Sequence, residues 1–398
     1  MRTVCRACES GALEEILNFG PLPLAGGFLD GPEAAARERK YPLATHVCGS
    51  CGLVQVLDPV DPEILFQDYS FSSSTIKPLV DHFEAYAAWL VETLHPRTVV
   101  EFGCNDGVLL APLERLGVTA IGADVSQNIT DMARAKGLKV VTGYFNAEMA
   151  RQIRDQYGPA DIVTGSNAFA HNDRPELILE AAQIVLGDSG MLCLEVMYAG
   201  DLLEQLQWDT LYHEHLTFYS LSTIQTLLNR YGFYVVDAQR LPMHGGALRV
   251  VASRRADAQA SPAAQALLDF ERNSHLNCAE TWRAFAARSR RKIDIVADVF
   301  GALSRKHTIW AYGAAGKATM WVNAAKMDYL GAVVDASPLR AGKLMPGTHT
   351  PIVFPAEFRK NPPDHMFVTA WNYANQIRLK ESSFNGTWST PLPDLRFF

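Results

Sequence analysis

Four cysteines near the front of the chain come as two pairs, Cys5-Arg6-Ala7-Cys8 and Cys48-Gly49-Ser50-Cys51. Each pair is a C-x-x-C knuckle that folds around half of a tetrahedral metal site, and the second pair completes it. Four thiolates select zinc over calcium or magnesium, which take oxygen ligands. With four protein ligands and no open position, the site is expected to be structural. Disulfides are the alternative. They belong to oxidising compartments, whereas Met1-Arg2-Thr3-Val4-Cys5 shows no apolar signal segment. The zinc unit, residues 1–70, is too small to build a large core, and Pro21, Pro23, Gly26 and Gly27 predict a loop-rich middle. Metal binding can supply on the order of 10 kcal/mol of folding free energy to such a unit.

The 398 residues suffice for two or three domains. No apolar run is long enough to cross a membrane, so a cytoplasmic protein without a membrane partner is expected. Lys and Arg number 36 against 43 Asp and Glu, a formal charge of −7. An acidic balance is a poor basis for binding a polyanion. The main basic run, Arg288-Ser289-Arg290-Arg291-Lys292, reads as a solvated helix face. The zinc unit is therefore not expected to hold nucleic acid. Cys104, Cys193 and Cys278 are scattered and are read as reduced thiols.

From residue 75 strand-like and helix-like segments alternate. Ile76–Leu94 is an amphipathic helix. Strands are predicted at Thr98–Phe102, Ala120–Ala123, Lys139–Thr142, Asp161–Ser166 and Met191–Val196, with helices at Leu109–Leu116 and Asn128–Lys136 between them. Such alternation implies a parallel sheet covered on both faces. Phe233–Ala238 and Ala247–Ser253 extend it as an antiparallel hairpin. Residues 256–306 predict one or two long connector helices. A second series follows: strand His307–Tyr312, turn Gly313–Lys317, helix Ala318–Ala325, then strands Ala332–Asp335, Pro351–Phe354 and His365–Ala370. The fold class is α/β in three parts: 1–70, 71–255, and 256–398 with the connector and a second Rossmann-like layer.

The first strand runs into Glu101-Phe102-Gly103-Cys104-Asn105-Asp106-Gly107, and Asp124 ends the next strand 21 residues after Gly103. Glycines let backbone approach a ligand, and a carboxylate at that distance can accept both ribose hydroxyls. NAD and S-adenosylmethionine both suit this geometry. Asn105 replaces the second glycine of the dinucleotide fingerprint, and Asp106 would repel a pyrophosphate. S-adenosylmethionine carries a positive amino group and sulfonium instead, so the methyl donor is favoured.

Three further stretches are polar out of keeping with their neighbours. Asn167-Ala168-Phe169-Ala170-His171 ends the fourth strand, where parallel sheets bind ligands. Trp208-Asp209-Thr210-Leu211-Tyr212-His213-Glu214-His215 places four consecutive polar, titratable side chains between apolar ones. Histidine suits general-base work near neutral pH, and a carboxylate can orient it. The spacing is wrong for a zinc protease, though a second metal site at His213 and His215 stays open. Asp68-Tyr69-Ser70 begins a hydroxyl-rich junction that could close over the cleft. Gly313–Lys317 lacks the Walker spacing, yet a helix start with Lys317 could hold a phosphate diester. Asn372 ends a later strand and could line the same cleft.

Together with His244-Gly245-Gly246, these motifs resemble, over essentially the whole chain, the zinc-containing, S-adenosylmethionine-dependent C-methyltransferases of nucleotide-linked 4-keto deoxysugars. The resemblance implies a zinc domain, a methyltransferase sheet and a C-terminal Rossmann-like domain that helps bind the sugar nucleotide. It implies His215 as the base that removes the C3 proton, with Tyr212 and Glu214 orienting base and sugar. His171 and Tyr69 would contact the sugar or stabilise the enolate oxygen. Glu101, Gly103, Asn105, Gly107, Asp124 and Asn167 are the expected cofactor residues. Gly313, Lys317, Asn372 and His244 are the expected substrate residues. A monomer acting on a dTDP-sugar in natural product, including antibiotic, or surface glycan biosynthesis is expected; GDP and CDP remain alternatives. Methylation at C5 and an O- or N-methyltransferase are competing readings. A nicotinamide oxidoreductase and a zinc-ribbon nucleic-acid binder are more distant ones.

Overall fold

The computed structural model describes residues 2–66 and 72–398, with the side chain of His244 outside the described set. The N-terminal unit is a sheet rather than a loop-rich wrap. Strands β1 (Leu13–Pro23), β2 (Lys40–Cys48) and β3 (Val54–Val56) pair antiparallel. Pro21 and Pro23 end the edge strand β1, where a missing N–H costs no ladder bond. Leu43, Val47, Val54 and Val56 are buried beneath them.

The central sheet is built from β4 (Thr98–Phe102), β5 (Thr119–Asp124), β6 (Lys139–Thr142), β7 (Ala160–Ser166) and β8 (Leu186–Met197), all parallel. A short strand β9 (Thr217–Phe218) leaves this domain and pairs with β3, so the zinc unit's sheet is completed from outside. Strands β10 (Tyr234–Leu241) and β11 (Ala247–Ser253) form the expected hairpin, with β11 antiparallel to β8. The strand order is β10-β11-β8-β7-β4-β5-β6. The winding of the sheet reverses between β4 and β7, and ligands of open α/β sheets bind at the carboxyl ends beside such a point.

The connector is two helices, Pro262–Asn273 and Ala279–Leu303. The second buries Trp282, Phe285, Ala286, Ser289, Ile293, Val296 and Phe300, a single stripe at helical spacing. Arg288, Arg290 and Arg291 lie on its exposed side, as expected of the basic run. It reaches from Glu14 of β1, paired with Arg283, to the third sheet, where Phe300 packs on Phe367. That sheet holds β12 (Ile309–Tyr312), β13 (Val333–Val334), β14 (Ile352–Val353), β15 (His365–Val368), β16 (Thr387–Thr390) and β17 (Arg396–Phe397). Its order is β14-β13-β12-β15-β16-β17, parallel except for β17. Among the described residues, no helix is long and apolar enough to cross a membrane.

Candidate active site

The four knuckle cysteines converge. Cys5 Sγ lies 3.6 Å from Cys51 Sγ, Cys8 Sγ lies 3.6 Å from Cys48 Sγ, and all four sulfurs sit within 4.8 Å of one another. Zinc–thiolate bonds of about 2.3 Å in a tetrahedron place sulfurs about 3.8 Å apart, so this set fits the ion. Cys104 and Cys193 are buried, Cys278 is exposed, and all three are free thiols.

At the carboxyl end of β4, Gly103 and Gly107 take φ of 65° and 81°, and Asn105 takes 51°. A Cβ on Gly103 would lie 2.3 Å from that of Ala168. Only glycine lets the turn pass so close to the loop after β7. Asp124 accepts the backbone N–H groups of Asn105 and Ser126, each at 3.0 Å. Burial raises its carboxyl above the usual range. Glu101 is buried, with one oxygen lacking a hydrogen-bond partner among the described residues. Desolvation and the charges of Asp124, Glu195 and Asp106 raise its carboxyl well above normal. A buried carboxylate cluster with an unsatisfied oxygen suits a cationic ligand. Asn167 takes φ 56° and donates its backbone N–H to Glu195 O at 2.8 Å.

Asp106 does something other than screen out a pyrophosphate. It is fully buried and receives the hydroxyls of Ser72 and Ser74, with Lys136 Nζ at 3.2 Å. Burial pushes its carboxyl up, but the hydrogen bonds from Ser74 and Ser72 and the Lys136 charge together outweigh that and hold it below the usual range. It ties the junction segment to the cofactor turn, as does the Ser73 N–H bond to Asn105 Oδ1. Tyr69 lies outside the described residues.

The polar octet occupies the meeting place of all three units. His215 Nδ1 lies 2.7 Å from Thr210 O. A carbonyl only accepts, so Nδ1 carries the proton, and in the neutral ring Nε2 carries the lone pair. The Tyr212 ring sits 4.0 Å from the His215 ring and the His171 ring 5.1 Å from it. Desolvation pushes His171 down to about 4, which keeps it neutral. Phe66 stacks on the His171 ring, with centroids 6.0 Å apart. A backbone bond from Leu216 N to Ala170 O locks the two histidine segments together.

His213 points elsewhere. It is buried, and its Nε2–H donates to Tyr41 O in the zinc unit at 3.0 Å. The four-cysteine set is the one group of three or more metal-ligating side chains among the described residues, and His213 Nε2 is turned to Tyr41 O. Glu214 is also turned toward the zinc unit, against Gly26, whose Cβ would lie 3.0 Å from Glu214 Oε1. Burial pushes its carboxyl up to about 7. The folded state therefore binds a proton that the unfolded chain releases nearer 4.5. Glu214 thus favours folding fully below that lower value and loses the contribution as pH rises through about 7. Glu214→Gln is expected to leave the protein's stability unchanged near pH ~4 and raise it near pH ~8 by on the order of 3 kcal/mol. Urea unfolding at both values checks this, and equal effects at the two would refute it.

The C-terminal turn reaches the same place. Gly313 takes φ 101° against Ala370, and Gly316 abuts Tyr212, where an added Cβ would fall 3.0 Å from the phenol oxygen. Lys317 Nζ is buried over the Trp371 ring, 4.4 Å from its centroid, with no hydrogen-bond partner among the described residues. Desolvation lowers its pKa. Asn372 sits in the short turn Trp371–Tyr373 beside it. His244 occupies the turn between β10 and β11.

Three family models match in order along the chain: a zinc binding domain at 5–66, a methyltransferase domain at 79–238, and a C-methyltransferase C-terminal domain at 242–393. C-methyltransferase NovU from Streptomyces niveus is 31% identical over 98% of this chain and 96% of its own length. The chain belongs to the zinc-containing, S-adenosylmethionine-dependent C-methyltransferases. A ubiquinone biosynthesis O-methyltransferase from Chelativorans sp. (strain BNC1) is 30% identical over 24% of the chain and 38% of its own length. Among solved structures, magnesium protoporphyrin IX methyltransferase (ChlM) from Synechocystis PCC 6803 with bound SAH matches at 18% identity and a TM-score of 0.35. It covers 44% of this chain and 83% of that one.

In this C-methyltransferase the expected α/β class, zinc unit and cofactor identity hold. Asp209, Arg6 and Asp173 were not singled out as site residues. Arg6 sits inside the first knuckle, fully buried, and pairs with Asp173 at 2.7 Å, two residues past His171. A charged residue between knuckle cysteines was the available signal, but its partner lies 167 residues away.

Proposed function

We propose that this C-methyltransferase methylates C3 of a nucleotide-linked 4-keto deoxysugar through an enolate. The observation that carries this reading is the His215 ring, held through Nδ1 on Thr210 O with the rings of Tyr212 and His171 beside it. A ketone at C4 acidifies the C3 hydrogen. His215 Nε2 takes that proton, Tyr212 orients base and sugar, and neutral His171, with Tyr69, donates to the enolate oxygen, while Glu214 faces the zinc unit. Positioned donors in a water-poor site are the larger requirement for such an anion. S-adenosylmethionine, when bound, supplies an electrophilic methyl group. Glu101, Asn105, Asp124 and Asn167, with the turn Gly103–Gly107, would hold it.

Gly313, Lys317, Asn372 and His244 would hold the nucleotide and its diphosphate. A buried ammonium without a hydrogen-bond partner is a suitable counter-charge for phosphate. The dTDP sugar is favoured, in a monomeric cytoplasmic enzyme of deoxysugar biosynthesis. Methylation at C5 of a related sugar uses the same carbon-acid chemistry and is the second reading.

Asp124→Ala is expected to weaken S-adenosylmethionine binding by about 10–100-fold, the range for losing hydrogen bonds to a charged group. Calorimetric titration measures it, and an unchanged affinity would take Asp124 out of the cofactor site. The substrate reading is tested by mass spectrometry of 4-keto deoxysugars on dTDP, GDP and CDP, incubated in heavy water with the methyl donor. Methyl gain at carbon, or deuterium uptake, identifies the sugar. A panel that emerges unlabelled from cofactor-binding enzyme would refute the sugar substrate.

A further inference from the structure

The octet contains a second carboxyl group, which the chemistry above does not use and which faces the C-terminal domain. Asp209 sits in the turn Trp208–Thr210 and is fully buried. Its Oδ2 accepts two indole N–H groups, from Trp321 at 3.0 Å and Trp371 at 2.8 Å. Both tryptophans belong to the C-terminal domain, one on helix Gly316–Ala324 and one in the turn after β15. The attraction of Lys317 in the same domain opposes the upward push of burial on the Asp209 carboxyl. A lone buried carboxyl group is costly, and one that accepts two indole N–H bonds from another domain is a fixed anchor.

What the anchor holds is the adjoining peptide. The carbonyl of Thr210 is the acceptor that keeps the proton on His215 Nδ1. Thr210 is braced from behind by its own hydroxyl on Gln207 O at 2.8 Å. Trp208 packs edge-on against Trp321, with centroids 4.4 Å apart. The same helix meets Tyr212 through Gly316.

We propose that Asp209 is a positioning residue. Through Trp321 and Trp371 it lets the C-terminal domain set the tautomer of His215, so that Nε2 is the basic nitrogen only when that domain is docked. Its link to turnover rests on His215 being the base; its link to the tautomer does not.

The test uses zinc-loaded, full-length protein labelled with 15N-histidine. The chain has 11 histidines, and the His215→Asn difference spectrum assigns the one that matters. The parent is expected to show His215 protonated at Nδ1. Asp209→Ala is expected to move it toward the Nε2–H form. Asp209→Asn keeps an acceptor oxygen for both indoles and is expected to restore the parent signal. With an accepted substrate, Asp209→Ala should lower kcat by about 10²-fold, the cost of a misplaced group, at unchanged KM for the methyl donor. Should Asp209→Ala fail to fold, Trp371→Phe removes one donor, keeps a ring, and should show the same shift in smaller measure. An unmoved Nδ1–H signal in the folded variant, or Asp209→Asn behaving like Asp209→Ala, would overturn the proposal. A moved tautomer with unchanged kcat would leave the clamp standing and remove His215 from the base role.

Discussion

His215→Asn is expected to lower turnover by about 10²–10⁴-fold, the usual contribution of a positioned general base, while S-adenosylmethionine binds as before. Asparagine can still donate to Thr210 O, so the turn should survive, but it has no basic nitrogen to present. The separation of effects follows from the layout. His215 lies on the loop leading into β9, whereas the cofactor turn lies between β4 and β5 on the central sheet. Turnover and cofactor titration on one preparation measure the two quantities. Near-parental kcat would reassign the base, with Tyr212 the next group to test.

Removing the zinc, by chelation or by Cys48→Ser, is expected to unfold the N-terminal unit. Metal-derived folding energy of roughly 10 kcal/mol compares with a typical net domain stability of about 5–15 kcal/mol. The loss should not stop there. Val54 and Gln55 of β3 pair with Phe218 and Thr217 of β9. Tyr41 O holds His213, and Arg6 in the first knuckle holds Asp173 beside His171. Turnover should therefore collapse with the metal, while the central sheet keeps its cofactor turn. Protease sensitivity confined to residues 2–66, with retained cofactor binding, is the expected pattern. A protease-resistant N-terminus after complete metal removal would show that the thiols are not the staple of that unit.

Much of the fold was legible in the chain because its signals are local. The hairpin of β10 and β11 and the paired connector helices follow from period and turn residues within a short window. The sheet of the zinc unit was missed for a physical reason. Pro21 and Pro23 normally break strands, and only the edge position of β1 makes them harmless. Helices Ala147–Tyr157, Pro175–Val185 and Leu221–Arg230 were not assigned individually, although the alternating pattern required covering layers.

By itself the sequence determined the four-cysteine metal site, the glycine turn with its distant carboxylate, and the cluster from Trp208 to His215. Each depends on residue type at fixed short spacing, which the backbone converts directly into geometry. Which way each member of the cluster faces was decided only by tertiary structure. His213 and His215 are chemically identical side chains two residues apart. One donates to a carbonyl of the zinc unit and the other to the turn beneath it. Asp106 looked like a guard against phosphate, and packing made it an anchor for Ser72 and Ser74. Asp209 looked like one more polar residue until two tryptophans, 112 and 162 positions further along, closed on it. Such contacts are set by how three units dock, and local pattern holds no record of that.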